Sequence, residues 1–135
     1  MEKVFEHRAL GVNLQPLRFL EFILEDVDQA AIVSAVGSVL VNVPDPARYA
    51  LHKMLVHVER RARNATKARK DLKQAAALVE ALTEFRGDAL LALWNDLLAR
   101  GPGWRERARK GIVALEGEDP ALQMLAPMKA ALTSR

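Results

Sequence analysis

The chain changes character once, at Pro44-Asp45-Pro46. Proline has no backbone N–H and a fixed φ, so it is tolerated at the first turn of a helix and not inside a sheet. Asp45 is placed to cap a helix that has Pro46 as its first residue. Before this point lie β-branched segments, and after it apolar residues recur at helical spacing. The punctuation predicts an α+β chain, predominantly α, with a small hairpin region over residues 1–45 and a bundle of four to five helices over 46–135. The two parts are read as one domain, 1–135.

Within the first part, Val4 to Leu14 has no helical period and contains Gly11, which fits an irregular arm or a short strand. Pro16 suits a first helical position. Leu17, Leu20, Ile23 and Leu24 then share one face of a short helix running to Asp26, although Phe19 and Phe22 keep a strand open. Ala31–Val36 and Val39–Val43 flank Gly37-Ser38, and glycine leading a two-residue loop is hairpin chemistry. A lone hairpin is marginal in water. It must pack on the helices or pair with strands that this chain does not contain, including those of a second copy.

In the second part, a helix from Pro46 to about Arg63 is expected to bury Tyr49, Ala50, Met54 and Val58. Asn64-Ala65-Thr66 reads as a turn with Thr66 as cap, followed by a helix from Lys67 to about Phe85. Its stripe is Leu72, Ala75, Ala76, Val79 and Leu82. The short turn predicts an antiparallel pair. Gly87 breaks the pattern, Asp88 caps a helix to Arg100, and Gly101 stops it. Gly101-Pro102-Gly103 reads as a linker, Trp104 to Leu115 as a helix weakened by Gly111, and Asp119-Pro120 as the start of a last helix that Pro127 kinks.

Bulk properties exclude several classes. Half of the 135 residues are hydrophobic and 27% are charged, which suits a folded core and argues against disorder. There is no cysteine, so no disulfide framework and no thiolate metal site. Met1 to Arg8 carries charges where a signal peptide needs an apolar stretch, and no apolar run reaches the roughly 20 residues that span a bilayer. The expected home is the cytoplasm, away from membranes. The net charge of +3 is mild, but Arg60, Arg61, Arg63, Lys67, Arg69, Lys70 and Lys73 crowd a segment whose acids are Glu59 and Asp71. Such a surface suits phosphate, and equally suits the solvated exterior of a helix-turn-helix.

Standard catalytic motifs are missing. There is no glycine-rich phosphate loop, and Ser34 and Ser38 have no nucleophile elbow around them. His52 and His57 are five apart, a rotation of about 140° on a helix, so with His7 they build no metal cage by spacing. One constellation stands out. Lys53, His57, Arg60 and Arg61 follow three- and four-residue steps along one side of the first long helix, and Lys67, Lys70, Asp71 and Gln74 do so on the second. Antiparallel pairing brings both sides to a cationic groove with one carboxylate, which suits a triphosphate. The plainer alternative is that Asp71 only pairs with Lys67 or Lys70 on the surface, worth about 0.3–0.5 kcal/mol.

Val43-Pro44-Asp45-Pro46-Ala47-Arg48-Tyr49-Ala50-Leu51-His52-Lys53, then Lys67-Ala68-Arg69-Lys70-Asp71-Leu72-Lys73-Gln74-Ala75, resembles a bacterial family of nucleotidyltransferase-like proteins. There a "V-P-x-P" segment leads into a helix with "A-x-H-K", and a basic helix with "K-x-x-K-D-x-x-Q-A" follows. Pro16 to Phe22 is similar to the stretch before it, and the likeness fades after residue 85. A comparable Lys-then-Asp arrangement belongs to the active site of abortive-infection toxin nucleotidyltransferases. The resemblance implies that Lys53 touches a nucleotide phosphate, and that Asp71 supports that lysine or the reaction centre. His57, Arg60, Lys67 and Lys70 join Lys53 as candidate phosphate ligands.

The fold's defining chemistry is a Gly-Ser turn followed by a strand with two alternating carboxylates that hold two metal ions. Here Gly37-Ser38 is followed by Val39-Leu40-Val41-Asn42-Val43, without an acidic pair. The resemblance therefore implies the carboxyl-terminal helical half of such an enzyme: a fragment, a degenerate relative or one part of a split protein. It would be catalytically incomplete alone and would use magnesium only beside a catalytic partner. Two other functions compete. One is a helical interaction module docking through the hairpin edge or the Trp94/Trp104 region. The other is nucleic-acid binding through residues 59–73, ranked last because no aromatic ring interleaves with the charges.

Overall fold

The computed structural model describes residues 4–14 and 18–134. Pro16 and Leu17, expected to open the first helix, lie outside the described residues. The helical part begins as its punctuation predicts. Asp45 Oδ1 accepts the N–H groups of Ala47 at 2.9 Å and Arg48 at 3.2 Å, and Pro46 opens the first long helix, α2 (Pro46–Arg60). Oδ2 of the same carboxylate holds Arg86 at 2.8 Å, so one side chain both caps α2 and ties it to the following helix.

That span, α3 (Ala65–Ala99), is two helices joined across a kink, with the break where the glycine pattern places it. The break falls on Arg86, one residue before the expected Gly87, and Asp88 does not start a separate span. The backbone leaves helical geometry only at Arg86, with φ −145° and ψ 32°, and the chain resumes its helix at once. A single residue absorbs the bend, and its guanidinium is the one anchored on Asp45. Asn64, not Thr66, caps α3, accepting the N–H of Lys67 at 3.0 Å. Gly101, at φ 128°, ends α3, and α4 (Pro102–Glu118) starts immediately with proline in its first turn, absorbing the expected linker. The last helix, α5 (Leu125–Thr133), begins five residues beyond Pro120 and carries Pro127 in its first turn, where it kinks nothing.

The core lies among these helices. Leu51 and Leu55 of α2, Leu90, Trp94 and Leu97 of α3, and Ile112 and Leu115 of α4 are essentially sealed from solvent. The Trp94 indole N–H donates to the Met128 carbonyl at 2.9 Å, fastening α5. In α2 the buried stripe is Ala47, Ala50, Leu51, Met54 and Leu55, while Tyr49 and Val58 are half-buried. The expected α3 stripe from Leu72 to Leu82 is buried throughout. Helices α2 and α4 meet closely at Gly111, where an added Cβ would stand 2.6 Å from Met54 Cγ.

Ahead of the helices stand two antiparallel hairpins and a short helix. The arm is a hairpin of β1 (Phe5–His7) and β2 (Val12–Leu14), closed by a turn with Gly11 at φ 61°. Helix α1 (Leu20–Leu24) buries Phe22 and Ile23 and leaves Leu20 and Leu24 exposed, so its inner face is not the expected one. Phe22 lies under the guanidinium groups of Arg48 and Arg100 and beside Trp104. Strands β3 (Asp28–Ser34) and β4 (Gly37–Val43) form the expected second hairpin, but it turns at Ala35-Val36. Ser34 Oγ accepts the Val36 N–H and donates to the Gly37 carbonyl, which draws the reversal two residues earlier than glycine alone suggests. The two strands contact each other and no helix. Ile32, Val33, Val36, Val39 and Leu40 are all exposed.

Candidate functional site

α3 returns along α2. His57 bonds the Ala68 carbonyl and Lys53 bonds Asp71, so contacts descend one helix as they climb the other. A carbonyl can only accept, so His57 Nδ1 carries the proton in its 2.7 Å bond to Ala68. This buried imidazole spaces the two helices where the groove begins.

Asp71 is the centre of the arrangement. It is 3% exposed, and each of its oxygens takes one cation from α2. Lys53 Nζ lies 2.9 Å from Oδ1 and Arg60 Nη1 2.8 Å from Oδ2. Burial works against the Lys53 charge, but the hydrogen bond and attraction of Asp71 outweigh it and leave the ammonium more basic than an ordinary lysine. Its ammonium also stands 5.2 Å from the centre of the Tyr49 ring.

Beside this cluster opens a hollow of about 440 Å³ lined by Lys53, Tyr49, His52, Arg60, Arg63 and Lys67, together with Arg18 and Glu59. Its volume is that of a small-molecule site. Arg18 and Arg107 hold Glu59, and Asp71 holds Lys53 and Arg60. Arg63 and Lys67 have no carboxylate within ion-pair distance among the described residues. The wall therefore offers surplus positive charge over a pre-oriented Lys53/Arg60 pair. A larger concavity, about 810 Å³, is an open face of α3 rather than an enclosure.

His52 Nε2 meets the Arg18 carbonyl at 3.3 Å, and Nδ1 is buried without a partner. Burial lowers its pKa more than that carbonyl raises it, which favours the neutral ring. The donor set does not suit magnesium. Both Asp71 oxygens are engaged by cations, and the surrounding side chains are positive. A divalent ion would need carboxylates from elsewhere. Among the described residues no three acidic or histidine side chains cluster in ligating geometry.

Of the residues singled out by spacing, Lys53, Arg60 and Asp71 come together and Lys67 lines the same hollow. His57 is buried against Ala68, and Lys70 faces outward on the open side of α3 with Lys73. Spacing did not find Tyr49, His52, Arg18 and Arg63 as lining residues. Tyr49 stands one helical turn before Lys53 and could have been found that way. Arg63 sits in the turn after α2, where helical periodicity has no reach.

No helix among the described residues is long and apolar enough to cross a membrane. No curated protein and no solved structure matches the chain significantly. A family model described as nucleotidyltransferase matches residues 2–99, spanning both hairpins, α1, α2 and α3 up to its last residue. On that match, over most of its length and including the whole Lys53–Asp71 groove, the chain belongs to the nucleotidyltransferase family.

Proposed function

We propose that this chain is a cytoplasmic, nucleotide-binding helical part of a nucleotidyltransferase, taking the phosphates of a nucleoside triphosphate into the hollow that α1, α2 and the start of α3 line. The observation that carries the reading is the Lys53/Arg60 pair. It is fixed by a buried Asp71 at a cavity where Arg63 and Lys67 have no carboxylate partner among the described residues. Lys53 and Arg63/Lys67 offset phosphate charge, and Asp71 supports Lys53 by holding its ammonium in place. His57 acts through the helix spacing rather than by touching the ligand. The chain does not complete nucleotidyl transfer alone, and a partner supplies the acids that bind magnesium.

Calorimetric titration tests the reading. ATP, with and without magnesium, should release binding heat from the wild type. Lys53→Met should weaken binding about tenfold or more, as expected for one charge-assisted hydrogen bond of about 1.5–3 kcal/mol. No heat from the wild type, or equal affinity in the variant, rejects it.

The uncovered β3–β4 hairpin favours a second reading, an interaction module without enzymatic activity. Its two free edges and exposed Ile32, Val33, Val39 and Leu40 suit strand pairing with another copy of the chain. Light scattering that finds a monomer at high concentration removes this reading.

A further inference from the structure

The turn after α2 and the outer face of α3 carry positive charge that the fold leaves without acidic partners among the described residues. Arg61, Arg63, Lys67, Arg69, Lys70 and Lys73 are all exposed. None has a carboxylate within ion-pair distance among the described residues. Asp71 is the sole acid between residues 60 and 79, and it points inward at Lys53 and Arg60. On α3's second half, α4 and α5 most cations are matched: Arg100 with Glu25 and Asp96, Arg107 with Glu59, Arg109 with Glu106, Lys129 with Glu116.

The placement is as telling as the number. Ala68, Leu72, Ala75 and Ala76 define the buried side of α3, and Thr66, Lys70, Lys73 and Ala77 lie opposite. Lys67, one three-residue step from Lys70, joins this stripe to the wall of the hollow. A cationic band thus runs from the hollow around the outside of α3.

We propose that this band docks the phosphodiester backbone of a double-stranded nucleic acid. Six unmatched cations on one short surface bind a polyanion by releasing its condensed counterions. Two features select a duplex. No large apolar side chain is exposed between Leu40 and Phe85, so the band has nothing to insert into a bilayer and no anchor for a protein interface. No aromatic residue occurs between Tyr49 and Phe85, so unpaired bases find no stacking platform. The band shares Arg63 and Lys67 with the hollow, but Arg69, Lys70 and Lys73 stand outside it, and the inference holds whether or not a triphosphate binds there.

The test is fluorescence anisotropy of RNA and DNA duplexes, two helical turns long, across a salt series. Wild type should bind with a slope of log affinity against log salt of about −5 on DNA, given about −0.9 per phosphate neutralised. Arg69→Gln/Lys70→Gln/Lys73→Gln should reduce the slope to about −3 and weaken binding at least tenfold at about 50 mM salt. These positions are exposed, and thermal melting checks that the variant stays folded. Arg109→Gln/Lys110→Gln on α4 should change nothing. The tighter duplex, RNA or DNA, identifies the source of the backbone. Absence of binding to both duplexes at low salt, an unchanged slope in the triple variant, or capture by phosphatidylserine vesicles but not by duplex overturns the proposal.

Discussion

Replacing Asp71 with asparagine removes one charge, keeps the volume and leaves two cations facing a neutral amide. Asparagine offers one accepting oxygen and one donating NH₂, so either Lys53 or Arg60 must face a donor. Breaking a fully buried ion pair costs about 3–5 kcal/mol, and an exposed pair contributes about 0–1 kcal/mol. Asp71 is buried, but the Lys53 side chain is 19% exposed and that of Arg60 38%. The Lys53 arm thus lies nearer the buried limit, and the Arg60 arm nearer the screened one. Together they give a loss of about 2–3 kcal/mol. In a chain of this size that lowers Tm by about 8–12 °C. Urea denaturation should show a lower midpoint at unchanged slope, because the folded surface is the same. Lys53→Met alone should cost less, since Arg60 still satisfies Asp71. A double-mutant cycle between positions 53 and 71 should give a coupling of about 1–2 kcal/mol. A change below about 0.5 kcal/mol on Asp71→Asn would mean a water-exposed carboxylate, and the pre-oriented groove would be refuted.

Two further perturbations probe the scaffold around the site. Gly111→Ala should destabilise by about 1–2 kcal/mol, despite alanine's better helix propensity, because its Cβ meets buried Met54. Urea denaturation reads that cost, and shortening the other partner with Met54→Ala should remove the steric part. His52 is held neutral by burial, so its folded pKa is below the ordinary histidine value of 6.5. As pH falls through that value the unfolded chain takes up the proton first, and stability present at neutral pH is lost. A pH series of melting temperatures should show a fall below about pH 6.5 that His52→Gln flattens; an identical fall in the variant assigns the effect elsewhere.

Much of the helical frame was legible because its signals are local. Asp45 beside Pro46 announces a cap, and the apolar stripe from Leu72 to Leu82 announces a buried face. The same locality explains the failures. Gly87 marks the kink in α3 to within one residue, but the bend itself falls on Arg86, which reaches Asp45, forty-one positions away in sequence. The hairpin turn follows Ser34 hydroxyl bonding rather than glycine preference. Phe22 is buried under Arg48 and Arg100, a tertiary stacking that a five-residue periodicity could not foretell. At the site, helical spacing placed Lys53, Arg60 and Asp71 on facing sides, and the structure joins them. It could not tell which cation Asp71 would choose. Lys67 and Lys70 are nearer in sequence, yet the carboxylate turns across to α2 because α3 buries that side.

Amide and side-chain NMR shifts recorded while ATP is titrated into the wild-type chain locate the ligand directly. The account predicts shifts concentrated at Tyr49, Lys53, Arg60, Arg63 and Lys67, with α4 and α5 little changed. Shifts confined to the outer face around Lys70 and Lys73, or absent at Lys53, would contradict it.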